Sequence, residues 1–276
     1  MRTLFCCLFC LSGWAIETPT ILVSVAPHQF LVEQIAGSTI QILLMVPEGA
    51  SSHTYEPSPK QMLAASKAVV WFRLGEPFET QAVAALKSYQ PKLQLVDLRE
   101  GLPLIQDHVC MHAHCHDEPD PHVWLSPPLL VTQAQTITHT LSQMFPEHQA
   151  LYHQNMETLH QRLETLDQEL REWLAPITRR TLLVSHPAYA YFCRSYQLTQ
   201  MAIEFEGKDP TPRQLTALLT QARNASINRI YIQPQYSSKG ARLVAETLDV
   251  PVVSLNPYEK NVIESLRTIG KAVATP

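Results

Sequence analysis

The sequence predicts an α/β protein built from two Rossmann-like lobes of parallel sheet, which are joined by one long rigid helix. Two observations lead to this prediction. Short apolar, β-branched runs alternate with helical segments between residues 20 and 97, and the same alternation returns between 181 and 273. Between the two halves, residues 146–174 contain no glycine, and their only proline is the first residue. Continuous apolar strands are typical of parallel sheets that helices cover on both faces.

The first half supplies four strands and three helices in alternation. Apolar runs bounded by polar or turn residues predict strands, and apolar residues at helical spacing predict the helices between them. Gly37 provides the stop signal of the first helix. We expect strands over residues 20–25, 40–46, 68–72 and 93–97, and helices over 30–36, 60–66 and 79–88.

The second half repeats this order, and this repetition predicts a second lobe of the same kind. A separate helix begins with Ser126, Pro127 and Pro128, ahead of the linking segment. In the second lobe we expect strands over residues 181–185, 229–233 and 251–255, and helices over 213–224, 241–248 and 262–273.

The linking segment has one apolar face. Leucines recur at spacings of three and four residues, which place them on the same side of a helix. A helix of about 28 residues would span roughly 42 Å. This length exceeds one small lobe, so we expect the helix to run across both. A coiled coil is the alternative, but the face covers too few heptads to favour it. The apolar face comprises Leu159, Leu163, Leu166, Leu170 and Trp173.

The first fifteen residues resemble a secretory signal peptide. Arg2 precedes a short apolar run, and small residues follow up to Ala15, after which we expect cleavage. The run is too short to span a bilayer. Lipid attachment at Cys6 or Cys10 is the alternative, but a bulky phenylalanine precedes each cysteine. We therefore expect an exported protein of the periplasm.

The sequence therefore predicts four parts of the chain. The signal peptide covers residues 1–15, and the N-terminal lobe covers 16–145. The linking helix covers 146–175, and the C-terminal lobe covers 176–276.

Three cysteines remain after cleavage, at Cys110, Cys115 and Cys193. An odd number in an exported protein leaves at least one thiol unpaired or available to a metal. A disulfide between Cys110 and Cys115 is one possibility, and the sequence leaves it open. The formal net charge is −4 with no basic stripe, which argues against nucleic acid as the main partner.

The most informative side chains are His53, His122 and His186, three of the 12 histidines. Each lies at a turn or at the end of a predicted strand, where open α/β sheets bind their ligands. Neutral imidazole is the commonest protein ligand of zinc and related ions. One such histidine alone is more often structural, but three beside a histidine-rich segment predict capture of a divalent metal ion.

The histidine-rich segment covers residues 108–118 and includes His112, His114 and His116 as possible secondary ligands. Two interpretations stay open for it. It is either a solvated segment with no metal role, or a low-affinity antenna that collects metal for the main site.

These residues resemble the periplasmic solute-binding proteins of zinc and manganese ABC importers, the cluster with a rigid linking helix. The resemblance covers nearly the whole mature chain. Its marks are Pro-Glu-Gly-Ala-Ser-Ser-His-Thr-Tyr-Glu-Pro-Ser-Pro at residues 47–59, Asp-Pro-His-Val-Trp-Leu-Ser-Pro at 120–127 and Ser-His-Pro-Ala-Tyr-Ala-Tyr-Phe at 185–192.

The resemblance implies a metal site in the cleft between the lobes, with His53 and His122 from the first lobe and His186 from the second. It implies a monomer that is not an enzyme and that delivers its ion to a membrane permease. Nitrogen-rich ligation favours Zn2+, with Mn2+ and Fe2+ as alternatives. It also implies that Glu204 belongs to a loop near the cleft, although a solvated acidic turn is an equal alternative.

One position departs from the family. Asn256 stands where the family usually supplies an aspartate from the C-terminal lobe. An amide oxygen is an uncharged and weaker ligand. The fourth donor is therefore open between Asn256, the nearby Glu259, a water molecule or none. A zinc-dependent hydrolase is the competing function, but the segments lack His-Glu-x-x-His and an adjacent catalytic carboxylate.

Overall fold

The computed structural model describes residues 18–106, 119–204 and 210–275. The predicted signal peptide lies outside the described residues, and so do its cleavage site and the histidine-rich segment with His112, His114 and His116. Cys110 and Cys115, whose possible pairing the sequence leaves open, lie outside the described residues as well.

The N-terminal lobe contains a four-stranded parallel sheet in the order β2-β1-β3-β4. Three helices connect these strands, and each begins with a proline in its first turn, where the missing N–H costs nothing. The first helix starts at Ala26, four residues before the predicted start. The elements are β1 Thr20–Val23, α1 Ala26–Ala36, β2 Gln41–Leu44, α2 Pro59–Ala65, β3 Ala68–Arg73, α3 Pro77–Tyr89 and β4 Gln94–Asp97.

The C-terminal lobe repeats this topology, with a parallel sheet in the order β6-β5-β7-β8. Two of its elements were not predicted, the short helix α6 and the strand β6. Its elements are β5 Thr181–Val184, α6 Ala190–Ser195, β6 Thr199–Ala202, α7 Pro212–Asn224, β7 Ile230–Ile232, α8 Lys239–Leu248, β8 Val252–Ser254 and α9 Val262–Ala274.

Two helices lie between the sheets in sequence, α4 Pro127–Met144 and α5 Gln149–Leu174. The linking helix α5 packs against α1 and α4 on one side and against α9 of the C-terminal lobe. Its 26 residues span roughly 39 Å. The predicted apolar face is buried except for Trp173, which is half-buried, and Leu174 is buried instead. The helix therefore connects the lobes through side-chain packing over most of its length.

The core is continuous from one lobe to the other. Ile21 and Val23 of β1 share one cluster with the leucines of α5 and with Leu182 and Val184 of β5. Leu22 points to the opposite face of the first sheet, where a smaller cluster lies. Both faces of the sheet are thus covered, as expected for parallel strands. No helix among the described residues combines the length and apolar character needed to cross a membrane.

Candidate metal centre

His53, His122 and His186 come together although up to 133 positions separate them in the sequence. Their ring centroids form a nearly equilateral triangle with sides of 5.1, 5.4 and 5.5 Å. Each offers one nitrogen, and these nitrogens lie within 4.8 Å of one another. Such an arrangement suits one ion about 2.0–2.1 Å from each nitrogen once the three rings move closer together.

His53 lies in the loop that follows β2, and Glu76 lies in the turn after β3. The Nδ1 atom of His53 is 3.3 Å from Oε2 of Glu76, whose side chain is fully buried. Burial acts to lower the pKa of His53, but the contact with Glu76 outweighs it and raises that pKa above its ordinary value. Burial likewise acts to raise the pKa of Glu76, yet the imidazole lowers it. The two groups therefore favour each other's charged form.

A tight turn fixes the position of Glu76. Gly75 has φ +77°, a backbone conformation that favours glycine. Its N–H and that of Leu74 donate to the Glu79 carboxylate at 2.8 and 2.9 Å, and the Ser24 hydroxyl donates to the same group at 2.5 Å. The turn between β3 and α3 is therefore tied down on the side of the sheet where Glu76 meets His53.

His122 is held by Asp120, two residues earlier. The Oδ1 atom of Asp120 accepts from the backbone N–H of His122 at 2.9 Å and lies 2.7 Å from its Nδ1. The Tyr191 hydroxyl of the other lobe donates to the Asp120 carbonyl oxygen at 2.9 Å. These contacts fix both the backbone and the ring of His122, whose side chain is almost completely buried.

His186 follows β5 directly. Its Nδ1 lies 2.9 Å from Oε2 of Glu204, and its ring stacks on Tyr236 with centroids 3.9 Å apart. Burial and then the neighbouring imidazoles of His122 and His53 lower the pKa of His186 well below its ordinary value. Its Nε2 is buried and has no hydrogen-bond partner among the described residues. A neutral ring with an unpartnered buried nitrogen is suited to a metal ion.

The three imidazoles share the same arrangement of neighbouring groups. In each, Nδ1 faces a carboxylate, which leaves Nε2 as the nitrogen available to an ion. Carboxylates in this position orient metal-binding histidines and raise their basicity. Asp120 and Glu204 lie in segments that the sequence analysis singled out, but Glu76 was missed. Its position just after a strand of the parallel sheet was the signal that could have indicated it.

The segment after β8 contributes Asn256 and Tyr258. Oδ1 of Asn256 accepts from Nε2 of Gln235 at 2.7 Å and from the Tyr258 backbone N–H at 3.1 Å, and Nδ2 donates to the exposed Glu259 at 3.2 Å. The Tyr258 hydroxyl lies 2.9 Å from Nε2 of His122. Burial raises the pKa of Tyr258 well above its ordinary value. A metal role for Asn256 or Glu259 stays a prediction.

Access differs among the three histidines. The His53 side chain is 26% exposed, whereas those of His122 and His186 are 3% and 9% exposed. A cavity of about 520 Å³ adjoins His53 and is also lined by Tyr55 and Phe78. An ion that arrives from solvent therefore meets His53 first.

Comparisons with known proteins cover both lobes. Residues 21–269 match the family described as zinc-uptake complex component A, periplasmic. A putative metal-binding protein of Chlamydia trachomatis serovar D is 32% identical over 281 residues, which cover 99% of each chain. The high-affinity zinc uptake system protein ZnuA of Bacillus subtilis strain 168 is 27% identical over 84% of this chain and 76% of its own. A crystal structure of ZnuA has a TM-score of 0.87 at 31% identity and covers 94% of this chain and 98% of that chain.

Proposed function

Since the chain belongs to the family of periplasmic zinc-uptake complex component A proteins, we propose that it captures a divalent metal ion outside the cytoplasm. The ion is Zn2+ in the first place, with Mn2+ or Fe2+ as alternatives within the same kind of importer. The protein then delivers its ion to the membrane permease of an ABC importer. The metal is cargo, so the site has to bind it tightly and also release it.

The observation that carries this proposal is the convergence of three imidazole nitrogens, each backed by a carboxylate. Imidazole ligands suit Zn2+, whereas Mn2+ is better served by oxygen ligands. Glu76, Asp120 and Glu204 hold the three rings in orientations that leave Nε2 for the ion. This supports His53, His122 and His186 as the metal ligands.

The site lies where the lobes meet, so binding and lobe position are coupled. Bonds across the boundary include Nε1 of Trp124 to the Pro257 carbonyl oxygen at 2.8 Å and Lys260 to Glu33 at 2.8 Å. The linking helix packs on both lobes. We therefore expect release to proceed through small shifts of the lobes or of the loops around the site, and not through a wide domain rotation.

A zinc hydrolase is the less favoured alternative. Hydrolysis requires a carboxylate or similar base beside the metal-bound water. In the described part of the chain, the three carboxylates around the site each face an imidazole Nδ1 and so serve to orient the ligands. The geometry favours a carrier.

We expect the mature protein, stripped with a chelator, to bind one Zn2+ tightly and to prefer it over Mn2+ and Fe2+. Titration of each ion, with the bound ions counted by native mass spectrometry, measures this. Additional weakly bound ions that disappear when residues 108–116 are deleted would support the antenna. A protein that holds no ion tightly would refute the proposal, and a preference for Mn2+ would refute the choice of zinc.

Glu76→Gln should weaken Zn2+ binding about 10- to 100-fold, the usual cost of changing a group that orients a metal-binding histidine. Glutamine keeps an oxygen opposite Nδ1 of His53, but it no longer supplies the negative charge. The matched control is Glu56→Gln, since Glu56 is an exposed residue of the loop that contains His53. Competition with a zinc chelator gives both affinities. Equal values in the two variants would show that Glu76 does not support the site.

A further inference from the structure

We propose that the hydroxyl oxygen of Tyr258, and not the amide of Asn256, is the fourth donor to the bound ion. This inference rests on the proposed function, because it completes the site of the three histidines. The family's usual donor from this segment is a carboxylate at position 256, which this chain lacks. Tyr258 lies two residues further along the same segment.

The first support is the position of the hydroxyl. Tyr258 is 6% exposed, and its oxygen lies 2.9 Å from Nε2 of His122. Two donors that are each about 2.0–2.2 Å from one ion in a tetrahedral site stand roughly 3.3–3.6 Å apart. The hydroxyl is therefore within about 0.5 Å of the spacing that a neighbouring ligand would need, and a small outward shift would reach it. Its ring packs edge-on against His122 and at a tilt against Trp124, with centroids 5.9 and 5.3 Å apart, and these contacts fix its direction.

The second support is that the Asn256 amide is engaged elsewhere. Its oxygen accepts two hydrogen bonds, from Gln235 and from the Tyr258 backbone, and its nitrogen donates to Glu259. To ligate an ion, the oxygen would have to give up one of these two bonds, either the one from Gln235 or the one that shapes the turn leading to Tyr258. Asn256 thus acts as a positioning residue for Tyr258.

When an ion binds, it replaces the Tyr258 hydroxyl as the partner of Nε2 of His122, and no proton has to leave the site. Nδ1 of His122 carries its proton toward Asp120, so Nε2 offers a lone pair, and the Tyr258 hydroxyl donates to it when no ion is present. An ion takes over that lone pair, and the O–H turns to another acceptor. Ser52 Oγ at 3.2 Å and the Tyr236 hydroxyl at 3.1 Å are within reach. Once the O–H has rotated away, a lone pair of the Tyr258 oxygen faces the ion.

The test compares Tyr258→Phe with Tyr152→Phe. Both tyrosines are buried and lose only a hydroxyl, but Tyr152 lies on α5 and bonds to Thr39. Zn2+ affinity is measured by chelator competition, and Co2+ is used as a visible-absorption probe of the donor set. We expect Tyr258→Phe to bind Zn2+ at least about tenfold more weakly, since a lost donor costs no less than a lost outer partner. We also expect its Co2+ spectrum to change, while Tyr152→Phe matches the native protein in both.

Two results would overturn the inference. Unchanged affinity and an unchanged Co2+ spectrum in Tyr258→Phe would mean that the hydroxyl is not a ligand. Tighter binding would mean that Tyr258 only competes with the ion for His122. As a second variant, Asn256→Asp keeps the acceptor oxygen and should change affinity less than tenfold. If Asn256→Asp instead binds Zn2+ more than tenfold more tightly, and adding Tyr258→Phe does not change that affinity, then residue 256 supplies the fourth donor.

The proposed function and this inference fail in different ways. If the native protein binds no ion tightly, the function fails and the comparison of tyrosine variants has no starting affinity. If the native protein binds Zn2+ tightly and Tyr258→Phe binds it equally well, only the inference fails. Thermal unfolding of each variant with chelator present checks that the hydroxyl losses have not unfolded the protein.

Discussion

His122→Ala should lower the affinity for Zn2+ by roughly 10²- to 10³-fold. Tight zinc sites contribute about 10–16 kcal/mol from four ligands, so each ligand accounts for about 2.5–4 kcal/mol. Of the three proposed ligands, His122 has the most buried side chain, and Asp120 holds both its ring and its backbone N–H. A water molecule that enters the vacated space lacks this orientation and does not recover the lost affinity.

The fold should survive this substitution. The backbone N–H of residue 122 remains and still donates to Asp120, so the turn ahead of α4 keeps its bond. His139→Ala is the matched control, since His139 is an exposed residue of α4. Isothermal titration or chelator competition measures the two affinities. A His122→Ala protein that binds Zn2+ as tightly as the control would place the tight site elsewhere and remove the basis of the proposed function.

The fold was predictable wherever the sequence pattern is local. Strands such as β1 and β3 are continuous apolar runs because both faces of each sheet are buried, and the leucines of α5 mark one helical face. The strand β6 lacks this signal. It reads Thr-Gln-Met-Ala at residues 199–202, none of which is fully buried. The preceding α6 has only six residues, too few to show a period.

The residues of the candidate site were predictable where they lie in distinctive sequence motifs. The segments around His53, His122 and His186 are distinctive, and the structure brings the three rings together. The role of Glu76 depends on its contact with His53, which joins the turn after β3 to the loop after β2. No local sequence pattern records such a contact. Tyr258 was overlooked because the comparison with the family directed attention to Asn256. The hydrogen bonds of that amide became visible only in three dimensions.

Trp124→Ala should lower the free energy of unfolding by about 3–5 kcal/mol, the range for truncating a buried tryptophan. Trp124 is completely buried. Its ring contacts His122 and Tyr258 at centroid distances of 5.2 and 5.3 Å, and its Nε1–H donates to the Pro257 carbonyl oxygen at 2.8 Å. The substitution thus opens a cavity between the lobes and also leaves a buried carbonyl without its partner.

The matched control is Trp173→Ala on α5, because Trp173 is half-buried and its ring lies under Lys271 at the surface. Urea unfolding with chelator present compares the two variants without the stabilisation that a bound ion adds to the native state. We expect the control to lose clearly less than Trp124→Ala. Adding Zn2+ should then stabilise Trp124→Ala less than the native protein, because the ring that supports His122 and Tyr258 is gone. Equal losses in the two variants would show that the contact between Trp124 and the segment after β8 does not hold the lobes together.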